Sequence, residues 1–316
     1  MSLLGIFATA ILPIVAVAAV GYALGRYRDV EADALNTITV YVLAPALVVH
    51  SLATSELGGE TILAVVGAVG LFTAVMLAVG EAVGRLTGQT EPMLGAFVLV
   101  TVFPNTGNYG IPLADFVFGP TGRSVAVLVT ALQGVVLYTL GIYIAARGAD
   151  SDPLADMKRV FGVPLVYAVV VALAARFLGV VPPTESTLMQ TLELVGNASI
   201  PVMLLILGIQ LAGVEADSAL RPVGVASGLR LVAGPAVAVA VVALVGFENT
   251  TVARAVVLLL ATPTAVTPII LVGAFSAAGD GIDPGEFVSA TVFVTTVGSV
   301  LTITGLVALL ETGLVI

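Results

Sequence analysis

The sequence predicts an all-α membrane protein of ten transmembrane helices, arranged as two inverted five-helix repeats in which helices 4 and 9 are broken and cross. Three observations lead to this prediction: apolar segments run through the whole chain, prolines recur at matching positions in its two halves, and each half holds an odd number of segments. With 59% hydrophobic and 10% charged residues, and a mean hydropathy of +1.16, the chain is typical of polytopic membrane proteins.

Ten apolar segments fit crossings of a bilayer, which takes about 20 residues as a helix. We expect the first to be a retained helix rather than a signal peptide, because it has no basic N-terminal region and its apolar run is too long. The predicted segments are residues 3–25, 35–53, 61–84, 93–118, 125–146, 160–181, 192–212, 223–246, 253–278 and 287–310.

Prolines indicate an internal repeat. Three proline pairs occupy corresponding helices of the two halves at nearly constant separations of 151, 156 and 159 residues. Because each half has five segments, it ends on the opposite side of the membrane from its start, and the second half must be inverted. We expect residues 1–146 to form the first repeat, 147–159 a cytoplasmic linker and 160–316 the second repeat. The pairs are Pro13 with Pro164, Pro45 with Pro201 and Pro104 with Pro263.

Basic residues predict the orientation of the chain. The loops after helices 1, 3, 5 and 7 hold seven Lys and Arg residues, whereas the loops on the other side hold two, so the first set should face the cytoplasm. Both termini are then extracellular, and we expect an integral protein of the cell membrane. The seven are Arg26, Arg28, Arg85, Arg147, Lys158, Arg159 and Arg221; the two are Arg123 and Arg254.

Two helices carry residues that should break them at bilayer depth. Helix 4 contains PNTGNYGIPL at residues 104–113, and helix 9 contains ATPTAVTPIILVGAF at residues 261–275. Broken backbone inside a membrane is tolerated only where protein surrounds it or where it lines a cavity. Inversion of the repeat brings the two breaks together, where half-helix N-termini favour an anion. We therefore expect a transport site. The prolines of this crossover are Pro104, Pro112, Pro263 and Pro268.

Polar side chains of the breaks are the candidate substrate ligands. Asn105 and Asn108 offer amide groups suited to a carboxylate, and their spacing places them on one face wherever the backbone is helical. The alternative is that the asparagines, or Thr106 between them, only cap the second half-helix. The threonines of helix 9 can instead bond back to their own helix. The full set is Asn105, Thr106, Gly107, Asn108, Thr262, Thr264 and Thr267.

Ionisable and amide groups within or near spans are further candidates. Asp115, Glu81 and His50 would lie on a route for a coupling sodium ion or proton, although His50 also suits a satisfied interfacial position. Arg230 lies about ten residues into its span and could counter the charge of an anion. The amides of Asn197, Gln133 and Gln210 fit either contacts between helices or ligand contacts.

Composition disfavours several other functions. The chain has no cysteine and His50 is its one histidine, so neither a thiolate nor a multi-histidine metal site is available. No phosphate-binding loop, GxSxG elbow or HExxH sequence occurs. A net charge of -9 disfavours a nucleic-acid partner. We expect no enzyme, no cofactor and no metal, and whether the acidic composition reflects a salt-rich habitat stays open.

Three sequence segments and the broken ninth helix give the chain a resemblance to the auxin efflux carrier family, which includes the plant PIN carriers and many bacterial and archaeal relatives. The matching pieces are ILPIVAVAAVGYALGR, PNTGNYGIPL, NASIPVMLLILGIQLA and the doubly proline-broken ninth helix, in order across nearly the whole chain. The resemblance implies a scaffold domain of helices 1, 2, 6 and 7, a transport domain with the crossover, a homodimer and organic anions as substrates. It places Pro104, Asn105, Pro263 and Pro268 at the crossover.

The departures from the plant carriers limit what the resemblance implies. Plant PIN proteins have a long cytosolic loop between the halves, whereas here the linker has only about a dozen residues, so neither loop-based regulation nor auxin specificity carries over. The leading hypothesis is an elevator-type secondary transporter of small carboxylates, auxin-like or dicarboxylic. One alternative is a sodium- or proton-coupled symporter or antiporter, since sodium-coupled bile-acid symporters share the fold. Another is a non-transporting membrane receptor.

Overall fold

The computed structural model of the chain describes residues 11–28, 30–147, 164–213, 220–276 and 282–313, together with residues 5, 8 and 162. Over this part of the chain the protein is helical, and no β-strand occurs in it. The predicted linker at residues 147–159 lies outside the described residues except for Arg147, and so does most of the start of the first predicted segment.

Six of the helices are long and apolar enough to cross a membrane, and several shorter apolar helices accompany them. The described helices, numbered along the chain, are α1 (Leu12–Arg28), α2 (Ala32–Ala53), α3 (Gly59–Leu86), α4 (Met93–Val102), α5 (Thr106–Ala145), α6 (Pro164–Phe177), α7 (Thr187–Ala212), α8 (Arg221–Val245), α9 (Thr250–Leu260), α10 (Thr267–Phe275) and α11 (Pro284–Thr312). The six long ones are α2, α3, α5, α7, α8 and α11.

Helix α5 doubles back on itself at Gly119. Its 40 residues would extend about 60 Å as one straight helix, twice the hydrocarbon thickness of a bilayer. Gly119 leaves the helix with φ 61° and ψ -148°, a conformation that favours glycine, and Pro120 follows it. A Cβ at Gly122 would overlap the backbone of Ala114, so the first arm (residues 106–118) and the second arm (residues 120–145) pack closely at their turn.

The helices that precede the two breaks lie in the centre of the hydrophobic core. In α4 nine of the ten residues are buried, from Leu94 to Val102, and in α9 eight of eleven are buried. A helix that is apolar on all sides is stable only when protein or lipid surrounds it completely. The residues of the broken backbone that follows each helix are themselves buried, so protein encloses both breaks, as the sequence predicted.

Close packing of α1 against α7 depends on glycine. A Cβ at Gly208 would overlap the backbone oxygen of Ala18, and a Cβ at Gly21 would overlap that of Leu205. Gly196, further along α7, lies in the same way against the backbone of Leu47 in α2. Small residues let helices approach closely where apolar burial alone gives little preference for protein over lipid. These contacts make α1, α2 and α7 one tightly packed group.

Candidate functional site

The two breaks predicted in helices 4 and 9 lie against each other. The helix is interrupted between α4 and α5 and between α9 and α10, and the two interrupted segments pair as a short antiparallel bridge of Pro104 with Thr264. Asn105 N donates to the carbonyl of Pro263 at 2.7 Å, and Ala265 N donates to that of Phe103 at 2.9 Å. The backbone groups freed by the breaks are thus bonded to each other.

Prolines hold both segments open. Pro104 and Pro263 lie between the helices and have no N–H with which to continue a helix. Pro268 lies in the first turn of α10, where the missing N–H has no intrahelical partner to lose. Pro112 lies in α5 just after its π-helical turn at Thr106–Gly110, where regular α-helix begins. Three of the four crossover prolines therefore lie where no helical N–H is needed.

Arg230 of α8 joins the ends of the two helices that stop at the breaks. Its side chain is fully buried, with Nε donating to the carbonyl of Thr262 at 3.0 Å and Nη1 to that of Thr101 at 3.1 Å. Nη2 donates to the carbonyl of Leu260, and the guanidinium lies 5.5 Å from the ring centre of Phe72. Two helix C-termini carry together about one negative charge, which the guanidinium balances. Three backbone carbonyls thus accept from Arg230, which joins the two helix ends; that Arg230 counters the charge of an anion stays a prediction.

A cavity of about 380 Å³ opens beside the paired breaks. Asn105, Thr106, Gly107 and Asn108 form one part of its wall, and Thr267 at the start of α10 forms another. Residues of α2, of both arms of α5, and of α6, α7 and α10 complete it. Within the described residues, no charged side chain lines this cavity. Over this part of the chain, hydrogen-bond donors and helix dipoles are the groups that can balance a charge in the cavity.

Five residues that line the cavity each carry a buried polar atom with no hydrogen-bond partner among the described residues. These atoms belong to side chains contributed by α2, α5, α7 and the break after α4. Buried polar groups are almost always paired, so a cluster of unpaired ones at a cavity indicates a place for a polar ligand or water. The atoms are Thr39 Oγ1, Asn105 Nδ2, Thr130 Oγ1, Gln133 Nε2 and Gln210 Oε1.

Asn105 does not act as a helix cap through its side chain. The residue is only 6% exposed, and its side chain makes no capping bond to the turn at Thr106–Gly110. Its backbone oxygen instead accepts from Gly110 N at 2.9 Å, an i+5 bond that makes this turn π-helical. The amide nitrogen of Asn105 has no hydrogen-bond partner among the described residues, and the capping alternative fails for this residue.

Thr262 and Thr264 do not reach the cavity. Thr262 Oγ1 donates to the carbonyl of Leu259 at 2.7 Å, which is the back-bonding that the alternative interpretation described. Thr264 Oγ1 donates to the carbonyl of Val100 at 2.9 Å. Both residues are fully buried, and Thr264 links the second break to α4. Among the three threonine candidates, Thr267 is the one on the cavity wall.

The coupling candidates lie away from the cavity. Asp115 is bound by Arg123 through both carboxylate oxygens, at 2.8 and 3.0 Å. Glu81 accepts from Arg85 at 2.6 Å and from Arg147 at 2.9 Å. His50 lies in the last turn of α2, half-buried. None of the three belongs to the cavity wall as far as the described residues show.

Several polar residues of the cavity wall were missed in the sequence, among them the two with an unpaired buried hydroxyl, Thr39 and Thr130. Thr39 lies in a π-helical turn of α2, and Thr130 lies on the second arm of α5. Thr130 is three residues before Gln133 within an otherwise apolar run, so the two share a helix face. That spacing was a signal that could have identified the pair. The position of Thr39 gave no comparable signal, because its neighbours Asn36 and Thr37 are polar as well.

Comparisons with known proteins support a transporter. A protein of Rhizobium meliloti (strain 1021) named "Putative malonate transporter" is 27% identical over 96% of this chain and 95% of the relative. An uncharacterized transporter of Methanocaldococcus jannaschii is 22% identical over 60% of the chain and 62% of the relative. Another, of Methanothermobacter thermautotrophicus, is 21% identical over 72% and 74%.

The family comparison covers nearly the whole chain. The profile described as "Membrane transport protein" matches twice, over residues 6–160 and over residues 153–307. Together these matches include both breaks, the cavity and Arg230. The resemblance to the auxin efflux carriers is thereby confirmed, and the chain belongs to the membrane transport protein family.

Proposed function

We propose that this protein is a secondary transporter of small organic anions, carboxylates in particular. The observation that carries the proposal is the polar cavity at the meeting point of two broken helices, whose wall includes Asn105 with its unpaired buried amide nitrogen and, among the described residues, no charged side chain. Helices that resume at Thr106 and Thr267 begin at the cavity wall, and each contributes about half a positive charge. A small anion would find both hydrogen-bond donors and a favourable potential there.

Uncharged ligands suit a transport site because the substrate must also leave it. A fixed arginine or lysine in a dry cavity would hold a carboxylate strongly, whereas amide and hydroxyl donors with helix dipoles bind it more weakly. In our proposal Asn105 and Asn108 bind the carboxylate, Thr106 and Thr267 support it, and the prolines keep the helices broken. The name of the Rhizobium relative favours a short dicarboxylate among the substrates.

The architecture that we propose is ten membrane passages in two inverted repeats, residues 1–146 and 160–316, joined by a cytoplasmic linker at 147–159. Two observations support it: α5 doubles back within its length, and the family profile matches the chain twice. With α4 and the first arm of α5 as one broken passage, and α9 with α10 as another, the described helices account for ten passages. The basic loops favour a cytoplasmic linker and extracellular termini.

Transport would proceed by alternating access, with the crossover moving against α1, α2, α6 and α7 as in an elevator. The cavity lies toward the start of α2 and the end of α7. Polar contacts lie toward the opposite ends of the same helices: Arg123 donates to Asn197 Oδ1 at 2.6 Å, and Ser124 donates to the carbonyl of Ser51 at 3.0 Å. We call these two contacts the latch. By the predicted orientation the latch closes the extracellular side.

The latch can be tested because the chain has no cysteine of its own. A single cysteine replacing Asn108 in the cavity would be labelled with a membrane-impermeant maleimide from either side of a vesicle. Asn197→Ala should increase labelling from the latch side, and Asn197→Asp, which gives Arg123 a second ionic partner besides Asp115, should reduce it. Equal labelling in both variants would contradict the closure assigned to this contact.

Uptake into proteoliposomes tests the function itself. Radiolabelled malonate and other carboxylates should enter vesicles that contain the protein, and Asn105→Ala should reduce uptake at least about tenfold, the effect of losing roughly 1.4 kcal/mol of binding. Gln190→Ala, at an exposed position of α7, is the matched control and should leave uptake unchanged. Sodium or pH gradients imposed in the same vesicles show whether transport is coupled. Undiminished uptake by the Asn105 variant would remove this residue from the site.

Ligand binding without flux would favour a receptor instead.

We also propose a homodimer formed through the apolar faces of α1, α2, α6 and α7, several of whose large side chains are exposed. The mass of the purified protein in detergent or in nanodiscs shows whether it is a dimer.

A further inference from the structure

The second arm of α5 places two unpaired polar groups on the cavity wall. Thr130 and Gln133 are three residues apart and share a helix face. This face is turned toward the break, because a Cβ at Gly107 would contact Thr130 Cγ2 at 3.6 Å. Thr130 Oγ1 and Gln133 Nε2 have no partner within the part of the chain that the structure describes.

The surroundings of Gln133 make an unpaired amide costly. The side chain is 5% exposed, and its neighbours in the chain include the buried Val129 and Ala131. A buried donor without a partner destabilises the protein, so a group kept in this position is expected to meet an acceptor during function. The cavity is the open space next to it.

Asn105 and Gln133 are separate donors on separate elements. Asn105 belongs to the break after α4, whereas Gln133 lies 28 positions later on a helix. A substrate with one carboxylate and a hydrocarbon remainder would satisfy one of these donors and place apolar atoms against the other. A substrate with an acceptor group at each end would satisfy both, and the cavity of about 380 Å³ suits a small molecule.

We propose that Gln133, supported by Thr130, binds the second carboxylate of a short dicarboxylate and so selects dicarboxylates over monocarboxylates. This inference rests on the proposed function, because it assigns the first carboxylate to Asn105. Gln133 is then a specificity-determining residue: its removal should cost binding of the dicarboxylate and spare that of the monocarboxylate.

Competition for radiolabelled malonate uptake tests the assignment. In the unmodified protein unlabelled malonate should compete at least about tenfold better than propionate, which has one carboxylate fewer, since one hydrogen bond of about 1.4 kcal/mol gives that factor. Gln133→Leu should bring this ratio close to one by weakening malonate alone. Gln133→Glu should weaken malonate further, because its carboxylate repels that of the substrate.

The controls separate specificity from folding and from transport. Gln190→Leu, the same substitution at an exposed position, should keep the original ratio. If Gln133→Leu does not fold, Thr130→Val should shift the ratio in the same direction by a smaller factor. A folded Gln133→Leu that keeps the ratio, or that loses malonate and propionate equally, overturns the inference.

Thermal stabilisation by malonate provides a readout that does not need flux. Stabilisation that Gln133→Leu abolishes, without uptake in any vesicle, would overturn the proposed transport and keep the dicarboxylate site. Uptake of carboxylates without preference for malonate would keep the transport and overturn the assignment of Gln133. Neither uptake nor stabilisation by any carboxylate would overturn both.

Discussion

Replacing Arg230 by methionine should destabilise the protein strongly, because it leaves three buried carbonyl groups without a donor. Arg230 donates to Thr101, Leu260 and Thr262, at the ends of the two helices that stop at the breaks. Methionine fills much of the same volume and keeps an apolar contact with the ring of Phe72. The variant therefore tests the hydrogen bonds and the charge rather than the packing.

The expected size of the effect follows from two opposing contributions. Three hydrogen bonds from a charged donor are worth about 1.5–3 kcal/mol each. Removing the guanidinium also removes the cost of burying it, which is several kcal/mol for a charge inside a protein. The net loss should be about 3–5 kcal/mol, the usual effect of removing one partner from a buried charged contact.

Thermal melting of the purified protein at a fixed scan rate measures this loss. At roughly 2–4 °C per kcal/mol, the apparent Tm should fall by about 10 °C. Arg176→Met is the matched control: Arg176 Nη2 donates to one carbonyl, that of Leu57, at 2.8 Å and is half-buried, so the loss should be about 1 kcal/mol. A melting temperature for the Arg230 variant within about 2 °C of the unmodified protein would refute the reasoning.

Two further predictions concern helix packing and the threonine candidates. Gly208→Val should destabilise the protein by at least about 1–3 kcal/mol, because the valine side chain would overlap the backbone of Ala18. Thermal melting measures the loss, and Gly67→Ala, at a position with open space around its Cβ, is the control. An equal effect of the two substitutions would contradict the prediction. Thr267→Val should lower malonate uptake in proteoliposomes severalfold, whereas Thr262→Val should leave it unchanged, because only Thr267 is on the cavity wall. The reverse order would show that the cavity is not the route of the substrate.

Much of the membrane architecture was predictable because it depends on local composition. Apolar runs of sufficient length and prolines that cannot continue a helix identified both the helices and their breaks, and Pro104 and Pro263 lie where the sequence placed the interruptions. Helix boundaries were less accurate. The fourth predicted segment ends in the structure as the first arm of α5, which continues through Gly119 into the next helix.

The site was only partly predictable, because the side chains that line it come from distant parts of the chain. Asn105 and its neighbours stood out, since polar residues next to prolines are unusual in an apolar segment. Arg230 was identified as unusual, yet its partners lie about 30 and 130 residues away, and no spacing in the sequence relates them. The same holds for Thr39, which reaches the cavity only because α2 packs beside the break.

By itself the sequence determined that this is a helical membrane protein with two interrupted helices, because hydrophobic length and the absence of a proline N–H act locally. Only the tertiary structure decided which polar groups face the cavity and which bond to the backbone. Thr262 and Thr267 are five residues apart, yet one is turned into its own helix and the other lines the cavity. The physical reason is that a buried hydroxyl or amide takes the nearest acceptor, and the acceptors nearby are set by the packing of distant helices.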